Sequence, residues 1–348
     1  MRLWRARGVL NWLLLPAGGL FFALAALRRG AYRRGWLISD RLPVPVIVIG
    51  NLVVGGTGKT PLVLWLAERL TALGRRPGIV SRGYGRLDDA VREVGAGKTA
   101  MEVGDEPLLL ARRSGCPVFV GRDRAEAARA LLAAHPDCDL ILCDDGLQHY
   151  RLARDVEIAL IDRRGFMNGW PLPAGPLREP PARLSSVDAL VLHDAKTAPM
   201  AGVPTFRMHL AGETFYRLDA PEIQAPAAAL VGLRLHAVAG IGEPQRFFDH
   251  LAALGLAFEA HPFPDHHVYR AADLDFRGDA ILMTEKDALK CAGLTQLPIW
   301  VLPVEAVVEP DLAHHVLALL ENIDGCASIG NPRLSALQGP ARLPESRR

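Results

Sequence analysis

The 348 residues carry 40 basic and 38 acidic side chains, a formal net charge of +2, and half of them are hydrophobic. Such a chain is long enough for two cores, and so small a net charge gives no support to nucleic-acid binding through a basic field. Five scattered cysteines (Cys116, Cys138, Cys143, Cys291 and Cys326) form no C-x-x-C pair, which excludes a structural zinc or disulfide framework and fits a reducing compartment.

In chain order, residues 8–27 hold no charged side chain, and about 20 apolar residues are what a helix needs to cross a bilayer. Arg2, Arg5 and Arg7 precede the run; Arg28, Arg29, Arg33 and Arg34 follow it. The downstream cluster argues against a cleaved signal peptide. Because both flanks are basic, charge does not set the orientation. Pro16, Gly18 and Gly19 interrupt the run, so a helix lying in the membrane interface stands beside a spanning one, with a buried core helix as the third reading. The downstream arginines with Trp36 suit the headgroup level of anionic lipid.

Residues 46–60 read V-I-V-I-G-N-L-V-V-G-G-T-G-K-T. A short β-branched run, a glycine-rich turn and a helical stretch make a phosphate cradle. Its loop N–H groups and helix N-terminus point at an anion, Lys59 adds a point charge, and Thr60 can ligate Mg²⁺. Val53 stands where the usual pattern has its first glycine, and Gly55 and Gly56 supply the backbone freedom from within the loop. The nucleotide-binding stretch is therefore Val53, Val54, Gly55, Gly56, Thr57, Gly58, Lys59 and Thr60. The loop also resembles that of the ParA/MinD ATPases, although Val54 occupies their signature-lysine position, so a membrane-associated ATPase switch is the alternative function.

A second strand, 77–81, runs into Ser81-Arg82-Gly83-Tyr84-Gly85, where Arg82 and Tyr84 can reach a ligand; a plain turn is the competing reading. Residues 95–99, G-A-G-K-T, look like a second phosphate loop but follow no apolar strand and read as a decoy. In Gly104-Asp105-Glu106-Pro107 the acids either complement a helix dipole or orient and deprotonate an acceptor hydroxyl. After a strand at 118–120 and a helix at 123–134, the apolar strand 140–145 ends in Asp144-Asp145, as a Mg²⁺-holding Walker B strand does; a D-D-G turn is the alternative. A strand follows at 156–162, then a proline-rich connection at 170–181 and strands at 187–192, 205–210 and 215–218.

A fresh α/β pattern starts near 235, with strands at 236–240, 256–260, 280–284 and 299–302 and helices at 244–254 and 311–321. Gly240-Ile241-Gly242 lacks the third glycine of a dinucleotide fingerprint and reads as a tight turn. Phe263-Pro264-Asp265-His266-His267 offers a histidine as acid, base or carboxylate partner, against a surface loop. Thr284-Glu285-Lys286-Asp287 narrowly misses the guanine-reading pattern, because Ala288 stands where an Asp is required.

Taken together, G-N-L-V-V-G-G-T-G-K-T-P, S-R-G-Y-G, G-D-E-P, D-D-G-L-Q-H, L-P-A-G-P-L-R-E, F-P-D-H-H and T-E-K-D resemble the tetraacyldisaccharide 4'-kinases, the lipid A 4'-kinases of Gram-negative bacteria. The resemblance implies transfer of the ATP γ-phosphate, with Mg²⁺, to the 4'-hydroxyl of an acylated glucosamine disaccharide 1-phosphate, forming lipid IVA. It implies an α/β fold: a P-loop NTPase-like, mostly parallel domain (41–212), a β-ribbon (213–234) and a smaller α/β domain (235–322). A membrane-anchoring segment (1–40) precedes them and a flexible tail (323–348) follows. Lys59, Asp105 and His266 match the catalytic residues, with His267 adjoining. Thr60, Glu106, Asp144 and Asp145 are the metal-associated oxygens, while Arg178 and Glu179 match the polar pair near the reacting phosphates; Tyr84 of S-R-G-Y-G is counted with the nucleotide-binding residues. The expected partners are the lipid substrate and inner-membrane lipids, with no obligate protein partner, and the catalytic body is expected on the cytoplasmic face.

Overall fold

The computed structural model describes residues 4–198, 200 and 202–328. One long helix, α1 (Val9–Arg33), leads into the first α/β unit. This contains β1 (Val46–Gly50), α2 (Lys59–Ala72), β2 (Pro77–Ser81), β3 (Arg92–Glu93), α3 (Ala100–Val103), α4 (Asp105–Ser114), β4 (Val118–Val120), α5 (Arg124–Ala134), β5 (Leu140–Asp144), β6 (Val156–Asp162), β7 (Ala189–His193) and β8 (Thr205–Ala211). The second unit holds β9 (Thr214–Arg217), β10 (Gln224–Pro226), β11 (Leu235–Ala239), α6 (Pro244–Ala253), β12 (Phe258–Pro262), β13 (Ala280–Thr284), α7 (Glu285–Ala288) and β14 (Ile299–Leu302). The chain then gives β15 (Glu305–Val308) and α8 (Asp311–Ser328).

The first sheet runs β15-β8-β7-β6-β1-β5-β2-β4-β3, parallel except at its two edge strands. All five residues of β1 are buried, because helices cover both faces, and that is why the strand reads as an unbroken apolar run rather than an alternation. Ile47 and Ile49 face α2, α4 and α8; Val46 and Val48 face α5. The chain leaves β1 toward β2 on one side and later crosses to β6 on the other. The carboxyl ends of β1, β5 and β6 therefore border the crevice where such sheets bind ligands.

The second sheet runs β10-β9-β14-β13-β11-β12. Its central strands are parallel, and the hairpin β9–β10 adds to it antiparallel. Phe247, Phe248 and Leu251 of α6 fill one face; Tyr269, Leu274 and Met283 lie on the other.

Two features depart from the sequence reading. The C-terminal stretch expected in the second unit returns to the first. There β15 pairs antiparallel with β8, and Leu312, Val316 and Leu320 join the core around Ile47. Ala306 and Val308 are buried while Glu305 and Val307 are not, so this short strand buries one face and covers an edge of the sheet that would otherwise be open. The expected ribbon is likewise built into the second sheet through β9 and β14. Of the expected tail, residues 323–328 continue α8, and 329–348 lie outside the described residues.

Helix α1 is long enough to span a bilayer, about 37 Å at 1.5 Å per residue, but it is fastened to the first unit near both ends. Arg7 donates to the Asn168 carbonyl at 3.1 Å, Asn11 to the Ala174 carbonyl at 2.8 Å, and Arg29 to Ser186 at 2.8 Å. Trp12 meets Trp170 edge-on, with ring centroids 4.6 Å apart. Gly18 is required where the helix crosses Pro171, since a Cβ there would lie 2.9 Å from its ring. The opposite face leaves Val9, Leu13, Leu20, Leu24 and Leu27 between 57% and 79% exposed.

Candidate active site

The loop after β1 turns on Gly55 (φ 103°) and Gly58 (φ 98°), left-handed conformations that favour glycine. Asn51 is buried beneath it, donating to the Val53 carbonyl at 2.8 Å and to Thr57 Oγ1 at 3.0 Å and accepting from Lys59 at 3.3 Å. His193, at the end of β7, supports the loop from behind at 2.7 Å from the Thr57 carbonyl. The loop's first half is zipped to the L-P-A-G-P-L-R-E segment. Val53 bridges to Leu177, Val54 N donates to the Pro176 carbonyl at 3.0 Å, and Arg178 N donates to the Leu52 carbonyl at 2.7 Å. Thr60, the second residue of α2, is half-buried at the loop's exit.

At the end of β5 two adjacent carboxylates experience opposite fields. Asp145, with φ 48°, turns back toward the loop; it accepts from Arg178 at 2.9 and 3.0 Å and lies 3.5 Å from Lys59. Burial works against its charge, but Lys59 and Arg178 prevail and hold it well below the usual carboxylate range. Asp144 is buried, and Ser81 donates to one of its oxygens at 3.2 Å. Burial and the neighbouring Glu106 push it up to about 7. Its other oxygen, Oδ1, has no hydrogen-bond partner among the described residues. A buried carboxylate oxygen without a donor is the hard ligand a Mg²⁺ ion takes, so the donor set fits this cation.

Some distance along the same crevice, G-D-E-P opens α4 and meets the second unit. His266 Nδ1 lies 3.1 and 3.0 Å from the two Asp105 oxygens. Lys286 lies 3.8 Å from Asp105 and bonds Glu106 at 3.2 Å and Asp265 at 3.3 Å; Lys290 lies 3.7 Å from Asp105. Burial raises Asp105, yet the His266 hydrogen bond and the two lysines bring it down to about 2. Burial lowers His266, and Asp105 more than reverses this, so the imidazole is raised. His266 sits at φ 61°, uncommon for a residue with a side chain, which aims its ring back across the crevice.

The structure brings Lys59, Asp144, Asp145 and Arg178 together at one end and Asp105 and His266 at the other, with Glu106 between them, near Asp144 and bonded to Lys286. Tyr84, counted among the nucleotide-binding candidates, lines the same cavity and lies against the His266 ring, centroids 4.9 Å apart. Glu179 is buried in the cavity wall, accepting from Tyr150 and, at 3.3 Å, from Gln148. His267 pairs with Asp273 at 3.1 Å. Lys286 was missed as a site residue: T-E-K-D was weighed against guanine recognition, although a lysine in a motif quoted for the resemblance was a usable signal. Its neighbour Asp287 is a buried pin, accepting from Gly240 N at 3.0 Å, Thr284 at 2.7 Å and Tyr269 at 3.1 Å. The decoy loop is exposed at the sheet edge, where Thr99 caps α3.

Between the two ends lies a cavity of about 1450 Å³, lined by Val54, Gly55, Lys59, Asp145 and Arg178, by Glu106 and His266, and by Phe21, Leu24 and Arg28 of α1. A phosphate loop at a sheet's switch point, a magnesium-type carboxylate and a carboxylate–histidine pair across one cavity define a P-loop phosphotransferase. The family model of the tetraacyldisaccharide-1-P 4'-kinases, LpxK, matches residues 10–321. A tetraacyldisaccharide 4'-kinase of Dechloromonas aromatica is 57% identical over 311 residues, covering 88% of this chain and 92% of the relative. One of Azoarcus is 53% identical over 322 residues, covering 92% and 94%. A crystal structure of LpxK from Aquifex aeolicus in complex with ATP aligns with a TM-score of 0.77 at 31% identity, covering 90% of this chain and all of that one. The chain belongs to the tetraacyldisaccharide-1-phosphate 4'-kinase family, and the switch-ATPase alternative falls away.

Proposed function

We infer that this chain transfers the γ-phosphate of ATP to the 4'-hydroxyl of a tetraacylated glucosamine disaccharide 1-phosphate, a step of lipid A biosynthesis. The observation that carries the reading is His266, hydrogen-bonded to the buried Asp105, facing the phosphate loop across a cavity that α1 also lines. A soluble acceptor would need no apolar wall.

Residues 55–60 bind the triphosphate through backbone N–H groups, since the first half of the loop is paired with residues 176–178, and Lys59 neutralises charge on the phosphate that moves. Arg178 holds Asp145 beside Lys59. Asp144, Thr60 and Glu106 would supply oxygens for Mg²⁺, which would there contribute positive charge against the phosphate oxygens. Asp105 accepts a hydrogen bond from the acceptor hydroxyl and takes its proton as the new O–P bond forms and the bond to the β-phosphate oxygen breaks. Phosphoryl transfer needs positioning and charge compensation more than a strong base, so a carboxylate near 2 suffices. His266 and Lys286 hold that carboxylate in place. Since both come from the second unit, the acceptor end is complete only when the two units are together.

Helix α1 lies in the membrane interface rather than across the bilayer. Its attachments at Arg7 and Arg29 bind it along the flank of the first unit, and its outer face is apolar. The cavity then opens beside the acyl chains, on the cytoplasmic side of the inner membrane where ATP is found.

The test gives purified protein in detergent γ-labelled ATP, Mg²⁺ and the tetraacyldisaccharide 1-phosphate, alongside Asp105→Ala. Label is expected in the lipid, with kcat about 10²-fold lower for the variant and ATP binding retained. Label appearing only in free phosphate would overturn the assignment.

A further inference from the structure

On the opposite side of the second unit, parallel pairing sets His236 of β11 opposite Glu259 of β12, with Val238 opposite His261. Residues two apart on a strand share a face, so Glu259 and His261 flank His236 from the sheet's edge. His236 Nδ1 and His261 Nε2 face one another at 3.0 Å. Glu259 Oε2 lies 3.6 Å from the first, and Oε1 lies 3.9 Å from the second. Each residue offers one ligand atom, all within 4.8 Å of one another.

We propose that His236, Glu259 and His261 form a binding site for a divalent transition metal of the zinc class, separate from the phosphoryl-transfer site. Zn–N bonds of about 2.0–2.1 Å and Zn–O bonds of about 2.0–2.2 Å at tetrahedral angles put ligand atoms about 3.3–3.5 Å apart, between the 3.0 Å that separates the two imidazole nitrogens and the 3.6 Å of the shortest Glu259 approach. Two imidazoles and one carboxylate are the ligands of a three-protein-ligand zinc centre, with the fourth position left for water. The outer surroundings agree. The other His236 nitrogen, Nε2, lies 3.4 Å from the Arg277 carbonyl, the partner that turns the opposite lone pair toward a metal. Phe276 stacks on both imidazoles, at 4.6 Å and 4.2 Å, fixing their planes. Glu259 is largely exposed and gives an ion its way in.

The site has a mechanical consequence. Strand β12 is the sheet edge and runs directly into the loop bearing His266, whose first residue, Phe263, donates to the Ala239 carbonyl at 2.8 Å. An ion bridging β11 and β12 ties that strand down just ahead of the active-site histidine.

Equilibrium dialysis of the full-length protein in detergent against Zn²⁺, with excess Mg²⁺ to occupy oxygen-rich sites, tests this, with Co²⁺ absorption reporting the ligand geometry. One ion per chain with a tetrahedral Co²⁺ spectrum is expected. His261→Ala should weaken Zn²⁺ binding at least about 100-fold and the exposed change Glu259→Gln about tenfold, the range that loss of even an outer partner produces. Zn²⁺ should raise the Tm of the native protein but not that of His261→Ala. Unchanged affinity in both variants, no ion in the native protein, or loss of the ion with Asp144→Asn instead would each overturn the site.

Discussion

The two ends of the crevice are built on different principles. At the phosphate end every group belongs to one unit: Lys59 opens α2, Asp144 and Asp145 end β5, and Arg178 is zipped to the loop. At the acceptor end Asp105 is held by His266, Lys286 and Lys290 from the other unit. The first end is preorganised by a buried parallel sheet. The second depends on two bodies meeting, joined by ion pairs such as Arg113–Glu285 at 2.7 Å and Arg163–Glu243 at 3.1 Å, in which the carboxylate is largely buried and the arginine stays partly exposed. Nucleotide capture can therefore be permanent, while acceptor activation is conditional.

The comparison is broken most severely from the phosphate end. Lys59→Ala removes the only cation in the loop itself, and kcat/KM for ATP is expected to fall about 10³-fold, the scale of a lost transition-state charge partner. The fold should survive, because β1 and α2 bury their apolar faces independently of that amine. Steady-state kinetics with an unchanged thermal transition would agree; a fall under tenfold would mean that Arg178 carries the charge instead.

A second substitution separates conditional from permanent assembly. Gly242 abuts the loop so closely that a Cβ would lie 2.6 Å from Gly56 N. Gly242→Ala should hold the units apart at an overpacking cost of about 1–3 kcal/mol, a shift of about 5–150-fold in the assembled population. kcat should fall within that range while the Kd for ATP stays the same. Equal losses in both would show that the second unit also shapes the nucleotide pocket.

Legibility in the sequence divides along the same line. The phosphate end was readable because its parts are contiguous: a β-branched strand, a glycine turn and Lys-Thr fall within fifteen residues, and Asp144-Asp145 closes an apolar run. The pairing of Asp105 with His266 spans 161 positions, and no periodicity connects them; only the family resemblance put them together. Lys286 was hidden for the same reason, being a surface-like residue of the second unit until Asp105 and Glu106 of the first close over it. The return of β15 to the first sheet had no sharper signal, since four residues, Glu-Ala-Val-Val, are too short a run to show which sheet they join. Local chemistry was legible. Long-range closure was not.

The smallest expected effect probes the phosphate end's one unfinished group. Asp144 is pushed up to about 7 by burial and by Glu106, so near neutrality about half of it is protonated in the ion-free protein. Mg²⁺ takes the ionised form, and binding must displace that proton. The sign follows: affinity rises with pH, and with a value near 7 the ionised fraction is about tenfold greater at pH 8 than at pH 6. Mg²⁺ titrations by calorimetry at these two values should show that tenfold change, with proton release larger at pH 6. Asp145 cannot produce it, being ionised throughout beside Lys59 and Arg178. In Asp144→Asn the pH dependence should vanish while weak binding persists through Thr60 and Glu106. A dependence that survives the substitution would show that Asp144 is not the group whose proton the ion displaces.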